Sequence, residues 1–372
     1  MPSTLPDGEA APADGSLPAA ALGELAESRR TTGCPFGIYL HVPFCASRCG
    51  YCDFNTYTAA ELDGTGPLSS YAATATAELA LARRVLGELD LPVSSVFVGG
   101  GTPTLLPAAE LVGLLDVVRR EFGLAADAEV TTEANPESVD ERSLAQLRAG
   151  GFTRISFGMQ SAREHVLAVL DRRHTPGRAV TAVAEAHAAG FEHVNLDLIY
   201  GAPGETDEDW RVSLATAVDT GADHVSAYAL IVEAGTRLAR QVSRGELPDT
   251  DDDVLADRYL IADETLRGAG FDWYEVSNWA TSPAARCRHN EGYWRSADWW
   301  GVGPGAHSHL AGVRWWNVKH PTAYAGKLAA GASPAYAREV LDAETRRVER
   351  VLLGLRLADG HPLADLSATG AE

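Results

Sequence analysis

Cysteine is scarce. The chain has five in 372 residues, too few and too clustered for a disulfide framework. Long apolar runs are also missing, so no segment reaches the roughly 20 apolar residues of a bilayer-spanning helix. The N-terminal stretch lacks a basic leader followed by an apolar run and carries acids throughout, so no secretory segment is expected. Lysine is almost absent: Lys319 and Lys327 are the two, and arginine supplies the remaining positive charge. Against 31 basic residues stand 51 acidic ones, a formal net charge of -20. An acidic surface of that size disfavours a nucleic-acid backbone or an anionic membrane as the main partner. These absences point to a reducing cytoplasm, where grouped cysteines suggest metal or redox chemistry.

What is present is a rhythm. Residues 1–34, rich in Ala, Pro, Gly and acids, predict a disordered extension with a short helical piece near 20–29. From Phe36 onward, β-rich runs appear at 37–42, 95–100, 129–135, 154–160, 193–201 and 224–230. Helix-like segments at 108–123, 143–151, 179–190 and 207–221 lie between them and end in Gly, the usual residue just past a helix. Strands alternating with helices argue for a parallel sheet with right-handed crossovers. Polar and glycine residues collect where the runs end: a cysteine cluster after the first, GGGTPT after the second, Glu133 and Asn135 at the third, Gln160 at the fourth, Asp197 at the fifth. In a β/α barrel that carboxyl face carries the active site; unrelated βα units with ordinary turn residues are the plainer alternative. After about residue 235 the rhythm stops. An acidic connector (244–253), a helix-like stretch (253–270), an aromatic and glycine-rich region (273–310) and a last helix-like stretch (344–360) follow. The predicted fold is α/β: a partial (β/α)6 barrel over 35–240 and a smaller C-terminal α+β domain over 241–372.

Three cysteines fall in the first loop, as Cys45-x3-Cys49-x2-Cys52. A zinc site normally takes four ligands, often as two separated pairs, and no second CxxC exists. Cys34 and Cys287 are distant in sequence, so a fourth ligand from either is open but unforced. Three thiolates on one loop suit three corners of a [4Fe–4S] cube, leaving one iron with a free coordination position. Gly99-Gly100-Gly101-Thr102 lets backbone approach a ligand closely and offers amides to a carboxylate, or is only a tight turn. Glu133 can accept hydrogen bonds from ribose hydroxyls, or serve structural pairing. Together these describe a site for a nucleoside-bearing amino acid beside an iron–sulfur cluster.

With these residues in place, the chain resembles the radical S-adenosylmethionine (SAM) superfamily. HVPFC, GGGTPT, EANP, SFGMQS, LDRRH, NLDLIYGAPGET, YEVSNWA, HNEGYW and GVGPGAH, in that order over about 36–358, are similar to the branch containing oxygen-independent coproporphyrinogen III dehydrogenase and the heme-chaperone family HemW. The resemblance implies a radical-SAM barrel in which Cys45, Cys49 and Cys52 hold the cluster and SAM binds the fourth iron. It implies a SAM site lined by Tyr39, Tyr51, Gly100, Gly101, Thr102, Glu133, Gln160, Arg172 and Asp197.

The two families in this branch differ just after Cys52. The dehydrogenase pattern carries a further cysteine where this chain has Phe54, and residues 1–34 are too polar and proline-rich for the dehydrogenase's N-terminal element. Both differences point to the chaperones. His289, Asn290, Tyr293 and Trp294 fit the HNxxYW motif that the resemblance associates with heme, and a neutral imidazole is a good axial ligand. His289 is the first expected ligand and Cys287 an alternative; His307 and His309 are read as structural. The implied function is heme binding and transfer to an acceptor such as a respiratory membrane enzyme, with homodimerisation as a further expectation. The alternative is an enzyme that cleaves SAM reductively and uses a 5′-deoxyadenosyl radical to decarboxylate coproporphyrinogen III oxidatively. A structural zinc protein is the third reading. By the family pattern the chain should continue past LGLRLADG, so a truncated C-terminal region is expected.

Overall fold

The computed structural model describes residues 7–363 and 366, apart from 63, 65, 173 and 174. The chain opens with β1 (Glu9–Ala10) and α1 (Ala19–Thr32). β2 (Phe36–Val42) leads through the cysteine loop to α2 (Gly66–Leu86), and β3 (Val93–Gly100) to α3 (Ala108–Phe122). β4 (Leu124–Ala134) leads to α4 (Glu141–Gly150), and β5 (Arg154–Gln160) to α5 (Glu164–Val169) and α6 (Arg178–Ala189). β6 (His193–Tyr200) precedes α7 (Asp207–Asp219), and β7 (His224–Ala229) precedes α8 (Arg237–Ser243) and α9 (Asp252–Gly268). The remainder is β8 (Asp272–Glu275), β9 (Asn278–Ala280), α10 (Arg288–Trp294), β10 (Asp298–Val302), β11 (His307–Leu310), β12 (Val313–Asn317), α11 (Pro321–Ala329), β13 (Ala335–Val340) and α12 (Ala343–Gly354).

β2 to β7 pair in sequence order and in parallel, which is the expected six-unit partial barrel; the sheet does not close. Parallel strands are covered on both faces, and they read as nearly continuous buried runs for that reason. In β2, Ile38, Leu40 and Val42 turn outward into the main apolar core under the helices, whereas Tyr39 and His41 turn into the barrel. Local signals set the helix ends. Asp140 and Ser143 form a reciprocal cap at the start of α4, as do Thr206 and Asp209 at α7.

The last third of the chain is a continuation of this sheet rather than a body beside it. β10 adds in parallel to β2, and β11, β12, β13 and β1 follow it antiparallel; at the other end β9 and β8 extend β7. Trp300, Val302, Leu310 and Trp315 belong to the same apolar core as Ile38 and Val96. One buried carboxylate ties the two parts together. Glu78 of α2 accepts the Gly303 N–H at 2.8 Å and the Asn317 side-chain amide at 2.7 Å, and also takes the Tyr324 hydroxyl.

The N-terminal expectation is corrected. Residues 9–10 pair with β13 (Glu9 opposite Arg338, Ala10 opposite Ala337), and α1 buries Ala21 and Leu25 in the core; the expected helical piece lies inside α1, and residues 1–6 lie outside the described residues. The segment looks disordered in sequence because it buries few side chains and its partner strand is more than 300 residues away. Among the described residues, no helix is long and apolar enough to cross a membrane. Leu25→Ala is expected to cost about 2–3 kcal/mol, the lower part of the range for such truncations, read by urea unfolding; a disordered extension would give no change.

Candidate functional site

The cysteine loop leaves β2 at Val42 and is pinned by backbone contacts from elements far apart in sequence. Its two ends join through Cys45 N–H to the Tyr57 carbonyl (3.0 Å) and Tyr57 N–H to the Pro43 carbonyl (2.7 Å). At its centre, the Gly50 N–H donates to Leu170 beyond α5 (3.0 Å), and the Gly50 carbonyl accepts from Leu238 of α8 (2.9 Å). A Cβ on Gly50 would sit 2.9 Å from the Asp171 carboxylate, which would have to shift to admit it. On the opposite side lies the glycine loop after β3. Gly101 N–H donates to Val42 (2.8 Å) and Thr102 N–H to Phe44 (2.7 Å), and a Cβ on Gly101 would lie 2.5 Å from the Phe44 carbonyl and 2.9 Å from Cys45 Sγ.

The three thiols are half-buried. Burial, reinforced by Cys52, pushes the Cys45 thiol up to about 11, and burial also raises Cys52. Arg172 reaches Cys49 Sγ at 3.6 Å and donates its other arm to the Gly158 carbonyl at 2.8 Å. Among the described residues no three His, Cys, Asp or Glu side chains gather tightly enough for a single metal ion. A cubane takes each thiolate on a separate iron, so thiols spread around one loop fit it. The buried thiols, Arg172 and the close glycine backbone are a donor set of that chemistry.

Beside this loop a cavity of about 370 Å3 runs down the barrel interior. Gly100, at φ +114°, lines its upper wall and donates its N–H to Glu133 Oε2 at 2.9 Å. Burial, then the neighbouring Asp197, pushes Glu133 up to about 8. Burial raises Asp197 too, although it accepts from Ser156 Oγ (2.7 Å) and the Asn195 amide (2.8 Å). The lower end is stoppered by α10. Glu129 receives the N–H groups of Arg288 (3.1 Å) and His289 (3.2 Å) and so fixes the start of that helix. His289 is buried, with Nδ1 on Ser95 Oγ and Nε2 on Tyr293 Oη, both at 2.9 Å, and its ring stacks on Phe97 at 5.2 Å. Burial lowers its pKa to about 3.

The sequence-derived candidates divide accordingly. Tyr39, Gly100, Glu133, Asp197, His289, Asn290 and Tyr293 line the one cavity; the two ligand sites expected in separate domains meet there. Gly101, Thr102, Tyr51 and Arg172 surround the cysteines instead. Gln160 ends β5 at a bulge, buried and with φ +66°. Trp294 is not among the residues that line the cavity; the Arg356 guanidinium lies 5.4 Å from its ring. His289 and Tyr293 are four residues apart and share a helix face, which the next residue leaves. Sequence reading missed His41, Asn195, His224, Tyr228 and Lys319, and it read the cavity-lining His307 as structural. A signal was available: Thr131 and Glu133, Asn195 and Asp197, and His224, Ser226 and Tyr228 recur at spacing two, the polar inner face of each strand.

The radical SAM superfamily model matches residues 39–217. The chain is 57% identical over 341 residues to the heme chaperone HemW of Mycobacterium tuberculosis, covering 91% of this chain and 86% of that one. It is 36% identical over 284 residues to HemW of Escherichia coli, covering 74% and 70%. Among solved structures, the coproporphyrinogen III oxidase HemN of Escherichia coli, a radical SAM enzyme, superposes with a TM-score of 0.78 at 22% identity, over 93% of this chain and 80% of that one; this likeness concerns the fold. Membership of the superfamily implies SAM and an iron–sulfur cluster. With its cysteine loop, glycine-lined cavity and these relatives, the chain belongs to the radical SAM superfamily and, within it, to the heme chaperone HemW family.

Proposed function

We propose that this protein binds heme and passes it to an acceptor protein in the cytoplasm, on a scaffold that carries a [4Fe–4S] cluster and SAM. The observation that carries this reading is 57% identity, over 91% of the chain, to a protein named as a heme chaperone. Cys45, Cys49 and Cys52 hold three irons. When bound, the cluster offers a fourth iron to an outside amine and carboxylate and can supply an electron there. The chain's own residues shape the rest. The amides of Gly101 and Thr102 hold the glycine loop against the cysteine loop, Arg172 balances thiolate charge at Cys49, and Glu133 accepts from ribose hydroxyls. Tyr39, Tyr51, Gly100, Gln160 and Asp197 complete the SAM surroundings. The acceptor is a heme protein such as a respiratory membrane enzyme reached from the cytoplasmic side, and a homodimer is the proposed assembly.

The second reading is coproporphyrinogen III oxidation, favoured by the likeness of fold to HemN and opposed by Phe54, which stands half-exposed on the cavity wall where the dehydrogenase pattern has cysteine. Anaerobically reconstituted protein given reductant, SAM and coproporphyrinogen III is expected to form no protoporphyrinogen beyond a Cys45→Ala control, and to give a stoichiometric Soret band with added heme. Product above the control would replace the chaperone reading with the enzymatic one.

Glu133 gives a prediction with a defined sign. Its folded pKa of about 8 lies above the ordinary 4.5, so the apo protein loses stability as pH rises between those values, where the unfolded chain has released the proton and the folded chain retains it. Glu133→Gln is expected to flatten that slope and raise the apo melting temperature at pH 8. The same change is expected to weaken SAM binding roughly ten- to a hundred-fold, the worth of charge-assisted hydrogen bonds, measured by calorimetry.

A further inference from the structure

Below the layer of Glu133 the barrel wall carries two polar groups with nothing to bond. Thr131 of β4 and Arg154 of β5 stand opposite each other in the parallel pairing of those strands, and both line the cavity. Each is 1% exposed. Among the described residues, Thr131 Oγ1 and Arg154 Nη1 are buried without a hydrogen-bond partner. The next inward pair up the same two strands is Glu133 opposite Ser156. Thr131 and Arg154 therefore lie two residues, about 7 Å, deeper than the carboxyl assigned to ribose.

The fold alone explains neither of them. A guanidinium carries its N–H donors in a rigid fork. Arg154 Nη2 donates to the Ala285 carbonyl, and Nε stands 3.9 Å from Glu129. Glu129 is itself taken up by α10, accepting from the N–H groups of Arg288 and His289 and from the Cys287 thiol. Both hydrogens on Nη1 are left over. Valine in place of Thr131 would fill the same shape in a strand and bury no hydroxyl. Buried polar groups are nearly always satisfied, so two that are not, on adjacent strands and facing one cavity, mark a place for a polar guest.

The donors say what kind. Nη1 can only donate and carries part of a positive charge, and the Thr131 hydroxyl can donate as well. That charge is felt along the wall: burial, then Arg154, lowers the pKa of His224. The guest is therefore an acceptor with negative charge. A carboxylate offers an oxygen to each donor and brings a single charge into a space that already holds Glu129, where a phosphate would bring more.

We propose that Thr131 and Arg154 form a carboxylate-binding subsite on the barrel floor, one layer beneath Glu133. The carboxylate is that of a free small acid or of a propionate on a porphyrin; the second source rests on the heme reading, and the first does not.

The test uses the anaerobically reconstituted full chain. It is titrated with 13C-labelled acetate at constant ionic strength, read by line broadening, and with ferric heme and heme dimethyl ester, read by absorption. Saturable acetate binding identifies a small acid as the guest; heme bound roughly ten-fold or more tightly than its ester identifies a propionate. Arg154→Gln is expected to weaken the acetate binding, or shrink the preference over the ester, by roughly ten-fold or more. Thr131→Val keeps the shape and does not depend on Arg154→Gln folding. It is expected to weaken the same binding and to raise the melting temperature of the ligand-free chain, whereas a hydroxyl with a purely structural role would lower that temperature and leave binding alone. Neither saturable acetate binding nor a preference over the ester, as when the space holds only water, overturns the subsite, and so does binding that Thr131→Val leaves unchanged. A chain that takes up no heme overturns the heme reading, and the acetate titration alone then decides the subsite.

Discussion

The position of the cysteine loop depends on backbone hydrogen bonds from distant elements, and at Gly101 on an approach of backbone to backbone closer than a side chain permits. Gly50 touches the segments beyond α5 and at α8, and Gly101 lies against Phe44 and Cys45. Each hydrogen bond contributes on the order of 1 kcal/mol. Their placement matters more than their sum, because they arrive from three other β/α units, after β3, β5 and β7, and fix the loop in three dimensions. The loop that carries the three thiols is thereby held by the chain itself.

Electrostatically, the cavity beside the loop favours neutral forms. Burial raises Glu133 and Asp197 and lowers His41, His289 and His307. Burial therefore works against charge on these groups, although Asp53, Arg154 and Lys319 also line the cavity. Hydrogen bonds at both ring nitrogens fix the orientations of His41, His224 and His289 in this wall.

Much of the barrel was legible in sequence because its signals are local. The predicted run at 154–160 coincides with β5, and glycines mark the ends of α3, α4 and α6. The cysteine spacing, GGGTPT and Glu133 were legible as chemistry for the same reason. What escaped depends on distant partners. α2, rich in alanine and threonine, shows no strong apolar stripe and was assigned no helix. β10 is short and aromatic, and only its pairing with β2 explains it. The HNEGYW segment was quoted as a motif without being read as a helix, so the place of Trp294 outside the cavity lining was missed. That four histidines share one cavity wall is not visible in sequence, since their partners Ser95, Asn55 and Asn195 are 14 or more positions away.

The parallel pairing of β10 with β2 has a consequence for biosynthesis. Residues 36–42 leave the ribosome more than 250 positions ahead of residues 298–302, and until the later strand arrives that edge of the growing sheet has no neighbour. Pairings so distant along the chain assemble slowly, and an uncovered strand edge invites partners from other nascent chains. That edge of the sheet, next to the strand that leads into the cysteine loop, is completed only when the part of the chain that carries His289 and His307 has been made.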